Sequence, residues 1–186
     1  FYVQAVISAG VFAIFPEALG EHSTTLIRKL ACCLVCKVYR KKALDIELSN
    51  EISDIKTIVL GVTSLRHLFD LSQSGSLEWA VRREAITASA TIALAINGEQ
   101  VGIYVTKGGI EILIEALAIK IDYHLVLLVL TALEKILMIA QGNGKVYGLI
   151  VYQAGGVEMI EHLANHGNES VSAKAEGIFQ QFFNSD

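Results

Sequence analysis

Proline is nearly absent from this chain of 186 residues: Pro16 stands alone. A sequence so poor in the residue that breaks helices fits a chain made mostly of helix. Cysteine is scarce and crowded, with Cys32, Cys33 and Cys36 packed into about one helical turn. Their odd number and close spacing exclude a disulfide framework and favour a reducing compartment. Long apolar runs are also missing. The longest uncharged one, residues 125–133 (LVLLVLTAL), falls far short of the ~20 residues a membrane span needs. No basic segment precedes an apolar core at the start of the chain, so no signal peptide is expected there. Nor is there a dense basic face. A net charge of −4 and a pI near 5.7 argue against nucleic acid, whose binding rests on phosphate neutralisation. A mildly acidic chain suits a basic protein or peptide better.

What the sequence does contain is apolar side chain in excess, at 53% with a mean hydropathy of +0.49. With no membrane span to absorb it, that excess has to be buried in helices that touch neighbours on more than one side. Internal repeats supply the arrangement. The segments AVISAGVFAIF (5–15), YVTKGGIEILI (104–114) and VYQAGGVEMIE (151–161) share one phrase, and IVLGVTSLRHLF (58–69) keeps its apolar spacing. Each reads as a short helix, a glycine turn, and a second helix that starts on an aliphatic pair. A glycine at such a corner can take the positive φ that other residues resist. Aligning Gly10, Ser64, Gly109 and Gly156 gives spacings of 54, 45 and 47 residues, against a period of about 40–47 for HEAT and armadillo repeats. The excess in the first interval falls in the polar stretch 40–54, read as an enlarged loop or an extended helix end. Longer helices follow at 24–38, 77–96, 122–141 and 169–183, with Asp122 as an N-cap. The polar breaks EHS (21–23), SQSGS (72–76), AIKI (118–121) and NHGN (165–168) precede them. Three helices per unit is the armadillo arrangement.

At this point the sequence resembles a known family, importin α, and its C-terminal half above all. VQAVISAGVF (3–12) is similar to the opening of a typical repeat of that family. LTALEKIL (130–137) resembles a third helix near its C-terminus, and RREA (82–85) the usual opening of such a helix. The segment 147–183 resembles its last, atypical repeat throughout. The resemblance implies a concave groove lined by third helices, with a tryptophan and an asparagine four residues apart in each typical repeat. Here those positions fall on Cys33 and Lys37, on Thr87 and Thr91, and, for the third asparagine, on Lys135. None restores the pair, and two place a cation where a basic signal would lie, so weak binding of a lysine-rich import signal is expected. The resemblance also implies that the last repeats carry a surface for the nuclear export receptor or folded import cargo. The matching polar positions are Glu158, Glu161, His162, Asn165, His166, Asn168 and Glu169.

Other patterns have plainer readings. Cys32, Cys33 and Cys36 lack the second ligand pair a zinc site needs and read as helix packing. His162 and His166, four apart, lack any HExxH context, and Gly167 is expected to end their helix at once, which makes them surface histidines near a C-terminus. GNGK (142–145) lacks the spacing of a phosphate loop. The pairs Glu111/Glu115 and Glu158/Glu161 read as the solvated stripes of second helices. Trp79 reads as packing between repeats, and Arg40-Lys41-Lys42 as a solvated helix end. No nucleophile has a recognisable histidine and orienting partner.

The sequence therefore predicts an all-α fold, a right-handed α-solenoid of about four armadillo repeats in one domain over 1–186. The repeats are placed at 1–40, 54–97, 98–141 and 145–183, the last serving as a C-terminal cap. Phe1 begins inside an expected first helix, so further repeats are expected upstream. The expected function is protein binding in nuclear transport, in cytoplasm and nucleus, with cargo or the export receptor as partner. No enzyme activity, cofactor, metal, nucleic acid, membrane or small-molecule substrate is expected. The other reading kept is an armadillo scaffold without a transport role.

Overall fold

The computed structural model describes residues 11–41, 61–73, 75, 78–139 and 144–184. Residues 5–10 of the phrase around Gly10, most of the 40–54 stretch, two serines of SQSGS and the first two residues of GNGK lie outside them. Among the described residues the regular structure is helical throughout: a 3-10 turn at Val11–Ile14 and ten α-helices, with no strand. In chain order these are α1 (Phe15–Leu19), α2 (Thr25–Lys41), α3 (Val62–Gln73), α4 (Trp79–Ala95), α5 (Gly98–Thr106), α6 (Gly109–Leu117), α7 (Tyr123–Ile139), α8 (Gly144–Gln153), α9 (Gly156–Ala164) and α10 (Glu169–Phe182). They divide into two compact units, Phe1–Ala95 and Ile96–Asp186.

In the first unit α4 is the central element. Its buried residues run from Val81 to Ala93 and are mostly small: Ala85, Ala88, Ser89, Ala90, Thr91 and Ala93. Small side chains let α2 and α3 approach it closely from two sides, and both pack on it. Pro16 sits in the first turn of α1, where its missing N–H costs nothing. Two arginines close the corners between second and third helices. Arg28 donates from Nε to the Gly20 carbonyl at 3.1 Å and from its terminal amine to the Glu21 carbonyl at 2.6 Å. Arg82 likewise donates from Nε to the Ser72 carbonyl at 2.8 Å. The carbonyls that end a helix have no partner within it, and these guanidinium groups supply one.

In the second unit two three-helix sets follow one another, α5–α6–α7 and α8–α9–α10. α7 buries Leu125, Val126, Val129, Leu130, Ala132, Leu133, Ile136 and Leu137. Its other faces are only half-covered at Leu127, Leu128 and Thr131, as befits a helix held by α6, α8 and α10. Caps fix where the helices begin. Asn97 and Gln100 form a reciprocal capping box on α5. The Asp122 carboxylate accepts from the Leu125 N–H at 3.0 Å, as expected of an N-cap. The Asn168 side chain accepts from the Val171 N–H at 3.2 Å.

The two glycines of each GG corner divide the work. Positive φ belongs to the first, +91° at Gly108 and +72° at Gly155. The second is needed for close approach. A Cβ on Gly109 would fall 2.1 Å from the Tyr104 ring, and one on Gly156 would lie 2.7 Å from Ile114 and Val151.

Candidate functional site

Two surfaces hold the residues singled out by sequence, apart from Lys135 on α7. The first is the side of α2 that adjoins α4. Cys33 is half-buried there, and its thiol donates to Glu84 Oε2 at 3.4 Å. Glu84 also pairs with Arg83, Nη1 to Oε1 at 3.4 Å, so its carboxylate is engaged on both oxygens. Burial raises the Cys33 pKa and the Glu84 bond raises it further, while Lys29 and Lys37, one turn to either side, pull it down. Lys37 is exposed. Thr87 and Thr91 are buried on α4, the latter only 4% exposed. Their hydroxyls donate to carbonyls one turn back on their own helix, Arg83 at 2.8 Å and Thr87 at 2.7 Å. Thr91 also comes within 3.9 Å of the Cys36 sulfur. Neither threonine therefore offers a polar group to a ligand. Lys135, on α7, extends its ammonium to the Ile96 carbonyl at 3.1 Å. At Cys33, Thr87, Thr91 and Lys135, which the resemblance assigns to a groove, the structure shows hydrogen bonds within the chain itself.

The three thiols are free. Burial pushes the Cys36 thiol up to about 11 and Cys32 beyond that. Thiols so reluctant to ionise are poor metal ligands and poor nucleophiles. Among the described residues no group of three or more histidines, cysteines and acids is placed to hold a metal, and no helix is long and apolar enough to cross a membrane.

The second surface is α9 and the corner leading into α10. Glu158, Glu161, His162, Asn165 and Glu169 are exposed, and His166 and Asn168 are half-buried. Here the expected helix end is corrected. α9 stops at Ala164, with Asn165 as its C-cap, three residues before Gly167. His166 consequently lies beyond the helix, not one turn above His162. Its Nδ1 accepts from the Asn168 N–H at 3.0 Å, and Asn168 in turn caps α10. With Asn165 at the helix end, those two residues build the corner, which leaves Glu158, Glu161, His162 and Glu169 as the groups presented outward. Behind them, Lys174 on α10 pairs with Glu134 on α7 at 2.5 Å and ties the last third helix to the one before it.

Residues 145–186 match the family model described as the atypical Arm repeat. The solved structures agree over nearly the whole chain. A computationally designed armadillo repeat protein for modular peptide recognition superposes with a TM-score of 0.73 at 23% identity, covering 97% of this chain and 68% of the other. A designed armadillo repeat protein in complex with the peptide (KR)4 gives 0.57 at 20%, covering 97% and 85%. The fold is the armadillo-repeat fold.

Sequence reasoning missed two features of this armadillo fold. One is the Cys33–Glu84 contact, made between helices fifty-one positions apart. The other is the company Cys33 keeps on α2, where Leu26, Lys29 and Leu30 share its face. Helical spacing from Cys33 carried that signal in the sequence.

Proposed function

We propose that this chain is a protein-interaction module of an importin α-like transport adaptor, working in cytoplasm and nucleus. Its last repeats, α5–α7 and α8–α10, would present the binding surface. The observation that carries the reading is the atypical Arm repeat at 145–186, whose outward groups Glu158, Glu161, His162 and Glu169 stand on a stiff, capped corner. This supports recognition by a preformed surface, which loses little conformational entropy on binding. Three of those four groups are acids, which favours a basic patch on folded cargo or on the export receptor. The complex of a designed relative with (KR)4 supports protein or peptide ligands for the fold in general.

The test is a pull-down from purified components, with an export receptor and a panel of import cargoes, beside a Glu158→Lys/Glu161→Lys variant. Binding lost in the variant supports the surface. Absence of binding by both partner classes removes the transport assignment.

A non-transport armadillo scaffold is the second reading. Its support is the groove region, where Thr87, Thr91 and Lys135 all direct their polar groups to the chain's own carbonyls. Titration with a lysine-rich signal peptide bears on both readings, and micromolar binding would contradict this account of the groove.

A further inference from the structure

The exposed side of α2 carries a pattern that its neighbours in the fold leave unused. From Leu26 through Lys29 or Leu30 to Cys33, Lys37 and Arg40 each step is three or four residues, so the six share a single helical face. Leu26 is 64% exposed and Leu30 58%, and Lys37 and Arg40 are exposed as well. Among the described residues, Lys29, Lys37 and Arg40 have no hydrogen-bond or ion-pair partner. The carboxylate that reaches this face from α4, Glu84, is already held by Cys33 and Arg83. The result is three cations with no counter-charge among the described residues, sharing one helical face with two large aliphatic side chains, in a chain whose overall charge is −4.

We infer that this face of α2 docks an acidic peptide segment that carries apolar side chains, the opposite polarity to a lysine-rich signal. Charge complementarity selects the acids. Lys29 stands between the two leucines and Lys37 and Arg40 follow further along the face, so carboxylates spaced along an extended or helical segment meet a cation in both halves of the helix. The leucines select the rest of the ligand. A phosphate backbone has nothing apolar to cover Leu26 and Leu30, whereas a segment mixing acids with leucine or phenylalanine covers both. The face belongs to the first unit and Glu158 and Glu161 to the second, so the inference stands or falls apart from the transport reading.

The test is fluorescence anisotropy on the whole chain with a labelled peptide alternating glutamate and leucine. The comparison ligands are the same peptide with lysine for glutamate, a glutamate–serine peptide, and a single-stranded oligonucleotide of equal charge. The glutamate–leucine peptide is expected to bind best, and to weaken as salt rises from low to physiological and beyond. Lys29→Glu/Lys37→Glu is expected to weaken it roughly tenfold or more. Lys107→Glu/Lys120→Glu, an equal charge change on exposed sites of the other unit, leaves it within about twofold. Leu26→Ser/Leu30→Ser weakens binding without altering its salt dependence. These are all surface positions, and circular dichroism checks that each variant keeps its helix content. The inference is overturned if the lysine peptide binds as well, if the oligonucleotide is preferred, or if both double reversals have the same effect. It is also overturned if Leu26 and Leu30 instead mediate self-association, seen as a concentration-dependent mass that the serine variant abolishes.

Discussion

Replacing Gly109 with alanine tests the division of labour at the GG corners. A methyl group there would lie 2.1, 2.3 and 2.7 Å from three carbons of the Tyr104 ring, and that ring is wholly buried. Gly109 opens α6, so alanine also gains up to ~1 kcal/mol of helix propensity. The overlap outweighs it. Forcing extra volume into a packed core costs about 1–3 kcal/mol and occasionally more, and a contact this short on a ring with no open side belongs at the upper end. The expected net loss is about 2 kcal/mol, which for a chain of this size lowers the melting temperature by roughly 4–8 °C. Gly108→Ala works by another route. At φ +91° a side chain costs about 1–2 kcal/mol, offset by ~0.4–1 kcal/mol from the stiffer unfolded chain, for a net loss near 1 kcal/mol. Asparagine at 108 recovers most of that, because it tolerates the left-handed region. Thermal and urea unfolding followed by circular dichroism measure all three. The decisive variant is the double mutant Tyr104→Ala/Gly109→Ala. With the ring gone the methyl has room, so the second substitution costs nothing or stabilises, and the coupling exceeds about 1 kcal/mol. Strict additivity would refute the steric account.

Three further predictions follow from buried and half-buried polar groups. The Tyr39 hydroxyl is buried without a hydrogen-bond partner among the described residues, so Tyr39→Phe leaves stability unchanged or raises it by about 1 kcal/mol in a thermal melt; a loss above that size would reveal a partner. The Cys36 thiol, pushed up from 9.0 to about 11 by burial, stays neutral in the fold after the unfolded chain has ionised. Its contribution to stability is therefore complete below pH 9 and lost as the pH rises through 9 to 11, and urea midpoints across that window in wild type and Cys36→Ala measure it, the slope flattening in the variant. Lys174→Met removes the half-buried pair with Glu134 and costs at most about 1 kcal/mol, a loss that shrinks in high salt; a salt-independent loss would mean that packing, not charge, holds α10 to α7.

Much of the helical plan was legible because the chain punctuates it in local chemistry. The reading 169–183 meets α10 at Glu169–Phe182, and 122–141 meets α7 at Tyr123–Ile139, because Asn168 and Asp122 are N-caps whose effect reaches only three residues. What needed the structure was orientation. The alignment marked Gly109 and Gly156, yet the positive φ sits one residue earlier, since a repeated GG does not say which glycine bears the turn and which the contact. The family resemblance marks Thr87 and Thr91 as groove positions, but it does not reveal that small hydroxyls satisfy themselves on their own helix against α2. Gly167 looked like the end of α9, while Asn165 closes it first. The unpaired cations of α2 were individually visible in the sequence; that Glu84 is already committed to Cys33 and Arg83 was not.

The arginine at the first helical corner has a consequence for how this sequence can drift. Because Arg28 grips two carbonyls from one planar head, an exchange to lysine keeps the charge yet loses the rigid fork that holds both at a fixed spacing. A swap that scoring by residue class would treat as silent therefore loosens the hinge between α1 and α2, and with it the placement of everything α2 displays.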